Sequence, residues 1–228
     1  MARAGKLPVV VVTGMAFEAR IAAAPGVVTV CGNADTINAA LADAIARGCR
    51  GIASFGIAGG LSPNLVPGVC IVAREIVAAN ERFTVHAQWS THLVQAIPGA
   101  LAGNIAAVAG PVATPQEKRE LARATGAIAA DMESGVAAIA AARHGLPFTA
   151  VRIVADPCDR ALPPAALIPL RADGKPNLPA VLRSLLFQPN QFGALIRVGR
   201  DTQVARAALT TARQQIGADF GLDAVASA

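Results

Sequence analysis

Two short stretches put acids where a sheet can deliver them to a ligand. Asp131-Met132-Glu133-Ser134 places a carboxylate where a loop turns into a helix, and Ala150-Val151-Arg152-Ile153-Val154-Ala155-Asp156 ends a β-branched apolar run on another. Two acids at the carboxyl edge of a buried sheet can divide the work. Glu133 can accept hydrogen bonds from a pair of sugar hydroxyls, while Asp156 shares a proton with a leaving group. Upstream, Phe55-Gly56-Ile57-Ala58-Gly59-Gly60-Leu61 offers backbone that a ligand can approach without interference from Cβ atoms. Together these features point to chemistry on a nucleoside. Each also has a plainer reading: Asp156 as a cap on the turn at Pro157, Glu133 as a complement to the helix dipole, Met132 as core, and the glycines as a turn.

The surrounding elements follow from periodicity and punctuation. Residues 7–13 read as a buried strand, valine-rich and stopped by Gly14. Residues 17–24 read as a short helix ended by Pro25 and Gly26, and 27–30 as a second strand. Residues 35–47 form a helix, with Ile37, Leu41, Ala44 and Ile45 on one face and Gly48 as its stop. Strands are expected at 51–55, 69–77, 104–109, 127–130 and 148–155, with a helix at 135–143. Thr114-Pro115-Gln116-Glu117 starts another helix, Thr as N-cap, Pro first, and Glu reaching back. Strand and helix alternate, which predicts an α/β fold: a mostly parallel central sheet flanked by helices, with its site at the carboxyl edge. Beyond Asp156, Pro157, Pro163, Pro164, Pro169, Pro176 and Pro179 mark an irregular segment, followed by helices at 180–187, 191–199 and 202–217. No polar linker separates the two parts, so residues 1–228 are expected to form one domain, 159–228 being a Pro-rich, helical appendage.

Composition narrows the partners. A net charge of +5 could suit nucleic acid, but the chain has no Tyr and only 4% aromatic residues for base stacking. Anionic small molecules or an anionic membrane surface fit better. Cys31, Cys49, Cys70 and Cys158 are scattered, and neither they nor the three histidines show metal-ligand spacing, so reduced thiols and no metal are expected. The apolar runs are too short for a bilayer-spanning helix, and residues 9–12 are strand-length rather than a signal-peptide core, which predicts a cytoplasmic protein. With 54% hydrophobic and 15% charged residues, a homo-oligomer, at least a dimer, is expected to cover apolar faces. Residues 180–216 mix leucines and phenylalanines with arginines. They are either ordinary packed helices or a greasy, basic-rimmed mouth in peripheral contact with the inner membrane surface.

Taken in order, Thr13-Gly14-Met15-Ala16-Phe17-Glu18, residues 55–63, residues 66–72, Asp131-Met132-Glu133-Ser134 and residues 151–156 resemble the purine nucleoside phosphorylase and methylthioadenosine nucleosidase family. The likeness covers about residues 7–158. Residues 14–20, 114–118 and 156–166 make the chain look closest to the hopanoid-associated phosphorylases. These are taken to release adenine from adenosylhopane by phosphorolysis, in hopanoid biosynthesis.

That resemblance implies roles. Asp156 would protonate or hydrogen-bond purine N7, Glu133 would hold the ribose hydroxyls, Met132 would pack on ribose or base, and Ile57, Ala58 and Gly59 would line the purine pocket. Gly14 and Arg20 would hold phosphate, the co-substrate, with no other cofactor. Either Glu18 or Arg20 falls at the family's functional position: a glutamate suits water activation by a hydrolase, an arginine suits phosphate. Ile57 stands where phosphorylases have a serine, although Ser54 lies close by. Arg152 reads as a buried ion pair or as a phosphate contact. Alternative functions are a methylthioadenosine or S-adenosylhomocysteine nucleosidase, which is a hydrolase, and a nucleoside- or lipid-binding protein without catalysis.

Overall fold

The computed structural model describes residues 6–79, 81–169, 171 and 173–226. Its elements run β1 (Val9–Thr13), α1 (Ala16–Ala22), β2 (Val27–Cys31), α2 (Ala34–Ala46), β3 (Gly51–Gly60), β4 (Cys70–Ala78), β5 (Glu81–Thr84), α3 (Ala87–Ala96), β6 (Leu101–Ala107), α4 (Pro115–Thr125), β7 (Ala129–Asp131), α5 (Ser134–His144), β8 (Phe148–Asp156), α6 (Leu178–Phe187), α7 (Phe192–Gln215) and α8 (Leu222–Ala226). The valines of β1 explain its central place. Val10 and Val12 pack with Ile37 and Leu41 of α2 on one face, and Val9 and Val11 pack with Leu209 of α7 and Phe220 on the other. A strand covered on both faces has no polar side to alternate with.

β2, β1, β3 and β8 run parallel, and β4, β6 and β7 form a second parallel set. The two sets meet antiparallel at β4–β8 and at β3–β7, so β3, β8, β4, β6 and β7 close into a ring, with β5 antiparallel on β4. The α/β architecture with a largely parallel sheet is therefore observed, curled on itself.

The length of β3 makes this closure. Its first half pairs with β1, and its last two residues, Gly59 and Gly60, reach Ala130 and Ala129 of β7. The strand expected to end at Phe55 thus continues, and Gly56 to Gly60, which could have been a turn, lie inside it. Missing Cβ atoms let buried side chains and a second strand lie directly against this stretch. α7 is one continuous helix where two were expected: Gly199 lies in its interior, at a cost of about 1 kcal/mol that does not end it. β5 and α3 escape the sequence reading altogether.

Local signals behave as expected at α4. Thr114 Oγ1 accepts from Glu117 N at 3.2 Å, and Glu117 Oε2 accepts from Thr114 N at 2.9 Å. The second half of α7 is part of the core: Ala205, Leu209, Ala212 and, at its C-terminal end, Ile216 are buried against β1, β3 and β8. Among the described residues, no helix is long and apolar enough to cross a membrane.

Candidate active site

Where β1 ends, α1 starts almost at once, and its third residue turns back on the junction. Glu18 Oε2 accepts from Gly14 N at 3.0 Å and Met15 N at 2.8 Å, and Oε1 accepts from Ile57 N of β3 at 2.8 Å. A helix N-terminus with adjacent backbone donors forms an anion site, and here a side chain of the protein fills it. Glu18 is 1% exposed. Burial raises its pKa, against the pull of Arg152 and these three backbone donors.

Arg152, fully buried in β8, gathers further carboxylates. Its Nε pairs with Asp131 Oδ2, its Nη2 lies 3.3 Å from Glu133 Oε2, and Nη2 donates to Ser54 Oγ at 2.6 Å. Asp131 also accepts from the backbone and hydroxyl of Ser134 at the start of α5, which ties the β7–α5 junction to this pair. Two glycines make the approach geometrically feasible. A Cβ on Gly14 would sit 2.2 Å from Glu133 Oε1, and one on Gly56 would sit 2.5 Å from both Arg152 Nη1 and Glu18 Oε1. Glu18, Asp131 and Glu133 thus share one guanidinium. If all three were ionised, two negative charges would remain uncompensated in a buried place. Burial first, then repulsion from Asp131 and Glu18, pushes Glu133 up to about 7 despite Arg152.

At the far end of β8 the pairing with β3 slips between Ala58 and Gly59, and the bulge sets Asp156 opposite Gly59. Lys118 of α4, 1% exposed, meets it: Nζ is 2.7 Å from Asp156 Oδ2 and also donates to Pro157 O at 2.8 Å and Arg160 O at 2.9 Å. All three ammonium hydrogens are used. Burial raises the pKa of Asp156, and the lysine draws it back. Four residues of strand separate Asp156 from Arg152, roughly 13 Å. A cleft of about 740 Å³ opens beside Asp156, lined by Leu162, Pro163, Pro164, Ala194 and Val198 and by the charged Arg160, Arg197 and Asp201.

Residues 2–173 match the family model of the Phosphorylase superfamily. The chain belongs to that superfamily. Its fold is similar to that of 5′-methylthioadenosine/S-adenosylhomocysteine nucleosidase from Helicobacter pylori (TM-score 0.68, 14% identity, covering 98% of this chain and 100% of that one). It is also similar to the nucleosidase of Colwellia psychrerythraea solved in complex with adenine (TM-score 0.61, 15% identity, 81% and 96% covered). The futalosine hydrolase of Helicobacter pylori aligns with a TM-score of 0.60 at 15% identity, covering 80% and 98%. At these identities the likeness is one of fold. No curated protein matches the chain.

Within this superfamily member, Gly14, Glu18, Ile57 and Glu133 come together around Arg152, and Gly59 lies beside Asp156. Met132 is exposed next to them. Two expected site residues lie elsewhere. Arg20 is exposed on α1 and makes no ion pair with the cluster, because the first turn of the helix directs Glu18 inward instead. Ala58 is buried in the main core with Val10 and Leu65, on the face of β3 opposite Ile57. Lys118, Asp131 and Ser134 were given no role from sequence. For Lys118 a signal existed: it shares the inner face of α4 with Leu121, Ala122 and Thr125, and a lysine on that stripe needs a buried partner.

Proposed function

We propose that this chain hydrolyses the N-glycosidic bond of a purine nucleoside, with water where a phosphorylase uses phosphate. One observation carries the choice of water: the backbone nest after β1, where an anion would bind, is filled by the carboxylate of Glu18. Phosphate there would meet Glu18, Asp131 and Glu133 and only one guanidinium, already paired. Arg20, the cation expected to hold it, is exposed on α1.

In this reading Glu133 accepts from the ribose 2′- and 3′-hydroxyls, and the bonds strengthen as positive charge builds on the sugar. The bond between C1′ and N9 breaks, and its electron pair goes to the base. Asp156 gives its proton to N7, so the base leaves neutral. Water adds to C1′ and its proton passes to Glu18. Lys118 engages one oxygen of Asp156 and leaves the other to face the base. The cleft beside Asp156 combines apolar walls with Arg160, Arg197 and Asp201, and supports binding at the base end of the substrate.

Adenine release from a panel of 5′-substituted adenosines, with and without phosphate, tests this. The expected result is release at a rate phosphate does not change, with the 5-substituted ribose recovered carrying a free hydroxyl at C1. Release that requires phosphate and yields a ribose 1-phosphate would overturn the hydrolytic reading. Tight nucleoside binding without release would make the chain a binding protein.

A further inference from the structure

The hairpin of α6 and α7 holds an apolar face away from the core. None of the ten residues of α6 is buried, and Leu186 and Phe187 are 83% and 75% exposed. Leu178, Leu182 and Leu186 follow a four-residue period along one side of α6, and Arg183 and Phe187 follow it on the adjacent side. Phe192, Ile196 and Arg200 repeat that period on α7, with Phe192 and Ile196 also exposed.

This exposure is built in rather than a consequence of a loose end. The elbow between the helices is fixed by Gln191, itself buried. Its Nε2 donates to Ser184 O at 3.0 Å and Ser184 Oγ at 2.9 Å, and its Oε1 accepts from Ala165 N at 2.8 Å. One amide therefore clamps the hairpin to the turn at Pro164–Leu167.

The charges indicate what covers the face. Between Leu178 and Arg200 the charged residues are Arg183, Arg197 and Arg200, with no Asp or Glu among them; Lys175, just before, is paired with Asp173. A second copy docked on this face by a two-fold axis would set Arg183, Arg197 and Arg200 against the same three cations, and the flanking acids Asp173 and Asp201 are already paired with Lys175 and Arg160. A bilayer with anionic headgroups offers the opposite charge at the rim and an apolar layer beneath it. At ten residues α6 is about 15 Å long, suited to lying in the interface and too short to span it.

We propose that α6 and the first turns of α7 seat on an anionic lipid bilayer. The leucines and phenylalanines enter below the headgroups, and Arg183 and Arg200 pair with them. The inner side of the same stretch of α7, at Ala194, Arg197 and Val198, lines the cleft beside Asp156. An apolar substrate can thus pass from the bilayer to the site along one helix. That last step rests on the glycosidic reading above, whereas seating on the bilayer does not.

Flotation with vesicles of phosphatidylcholine, with and without phosphatidylglycerol, tests the docking directly and requires no turnover. The wild type is expected to float with anionic vesicles at low salt, and to bind roughly tenfold or more weakly at high salt. Arg183→Glu with Arg200→Glu should weaken binding by about twenty-five-fold or more, at roughly fivefold per lost cation. Leu186→Ser with Phe187→Ser should weaken it comparably. Both variants should release adenine from a small, water-soluble nucleoside at the wild-type rate. No flotation of the wild type at low salt would overturn the proposal, as would charge-reversed protein that floats like the wild type. A dimer in light scattering that Leu186→Ser with Phe187→Ser dissolves would assign the face to a second copy instead.

Discussion

Lys118 Nζ lies 2.7 Å from Asp156 Oδ2, although one residue starts from a helix and the other ends a strand. An acid that must hold a proton is thereby paired with a cation that opposes protonation. The balance between burial, which raises the pKa of Asp156, and Lys118, which lowers it, sets the pH range over which the acid is loaded.

Lys118→Met tests that balance. Loss of the cation leaves burial unopposed, so the pKa of Asp156 rises further. Activity needs the protonated acid and falls as pH climbs through this pKa, so the alkaline limb of the kcat/KM profile should move to higher pH. The maximum should also drop, because Pro157 O and Arg160 O lose their donor. Asp156→Asn, which cannot give a proton, should lose about a hundred- to ten-thousand-fold in rate, and should melt lower because buried Lys118 loses its counter-charge. An alkaline limb that stays in place in Lys118→Met would separate the lysine from the acid.

Glu133→Gln has a signature in stability as well as in turnover. Glu133 keeps its proton up to about pH 7 in the folded chain, against an ordinary value of 4.5. Between those values the native state binds more protons than the unfolded one, so this group's contribution is full below about pH 4.5 and is lost as pH rises through about 7. The wild type should lose stability across that window with a slope of up to about 1.4 kcal/mol per pH unit from this residue, and the glutamine variant should lack that part. Urea unfolding at a series of pH values measures it. A steeper slope in the variant would contradict the assignment. On turnover, the variant should be hurt less with a 2′-deoxyriboside than with a riboside, since one partner hydroxyl is already missing.

How much of this could be read beforehand depended on whether a residue's surroundings leave a mark on its neighbours in sequence. The valines of β1 and the run before Asp156 are apolar on both faces because the strands are covered on both faces, so strand, edge and acid were all legible. The choice between Glu18 and Arg20 was not. Two residues two positions apart on a short helix differ in direction by about 200°, and the sequence does not say which one points inward. The glycines of β3 read as a turn by ordinary preference, and only the packed Arg152, Glu18 and β7 show why a strand needs them. The register slip that sets Asp156 against Gly59 comes from pairing between distant segments, which leaves no local trace.

Gly56→Ala probes the cluster without touching a charged group. The new methyl would lie 2.5 Å from Arg152 Nη1 and Glu18 Oε1, and both are buried with little room to move. Overpacking of this kind costs about 1–3 kcal/mol. Activity should fall further than stability alone explains, since the two groups displaced hold the water site and its counter-charge. A thermal melt and a steady-state assay together show it. Full activity in a variant that melts lower would mean the cluster tolerates displacement and is structural.

Glu18→Ala separates water from phosphate most sharply. The change vacates a nest of three backbone donors, Gly14 N, Met15 N and Ile57 N, and removes the proposed base. Stability should fall, because buried N–H groups without acceptors cost about 1–3 kcal/mol each, and turnover should fall by about a hundred- to ten-thousand-fold. Formate is a small planar carboxylate that can re-enter the nest, accept the same hydrogen bonds and take a proton from water. Added formate should therefore raise the melting temperature and the rate together, in a saturable way. Phosphate is larger and more highly charged, and it would stand beside Asp131 and Glu133 with only Arg152 to offset them, so it should restore neither. If phosphate restores turnover and formate does not, the nest is a phosphate site that Glu18 blocks. The wild-type carboxylate would then be an obstacle to the reaction and no longer its base.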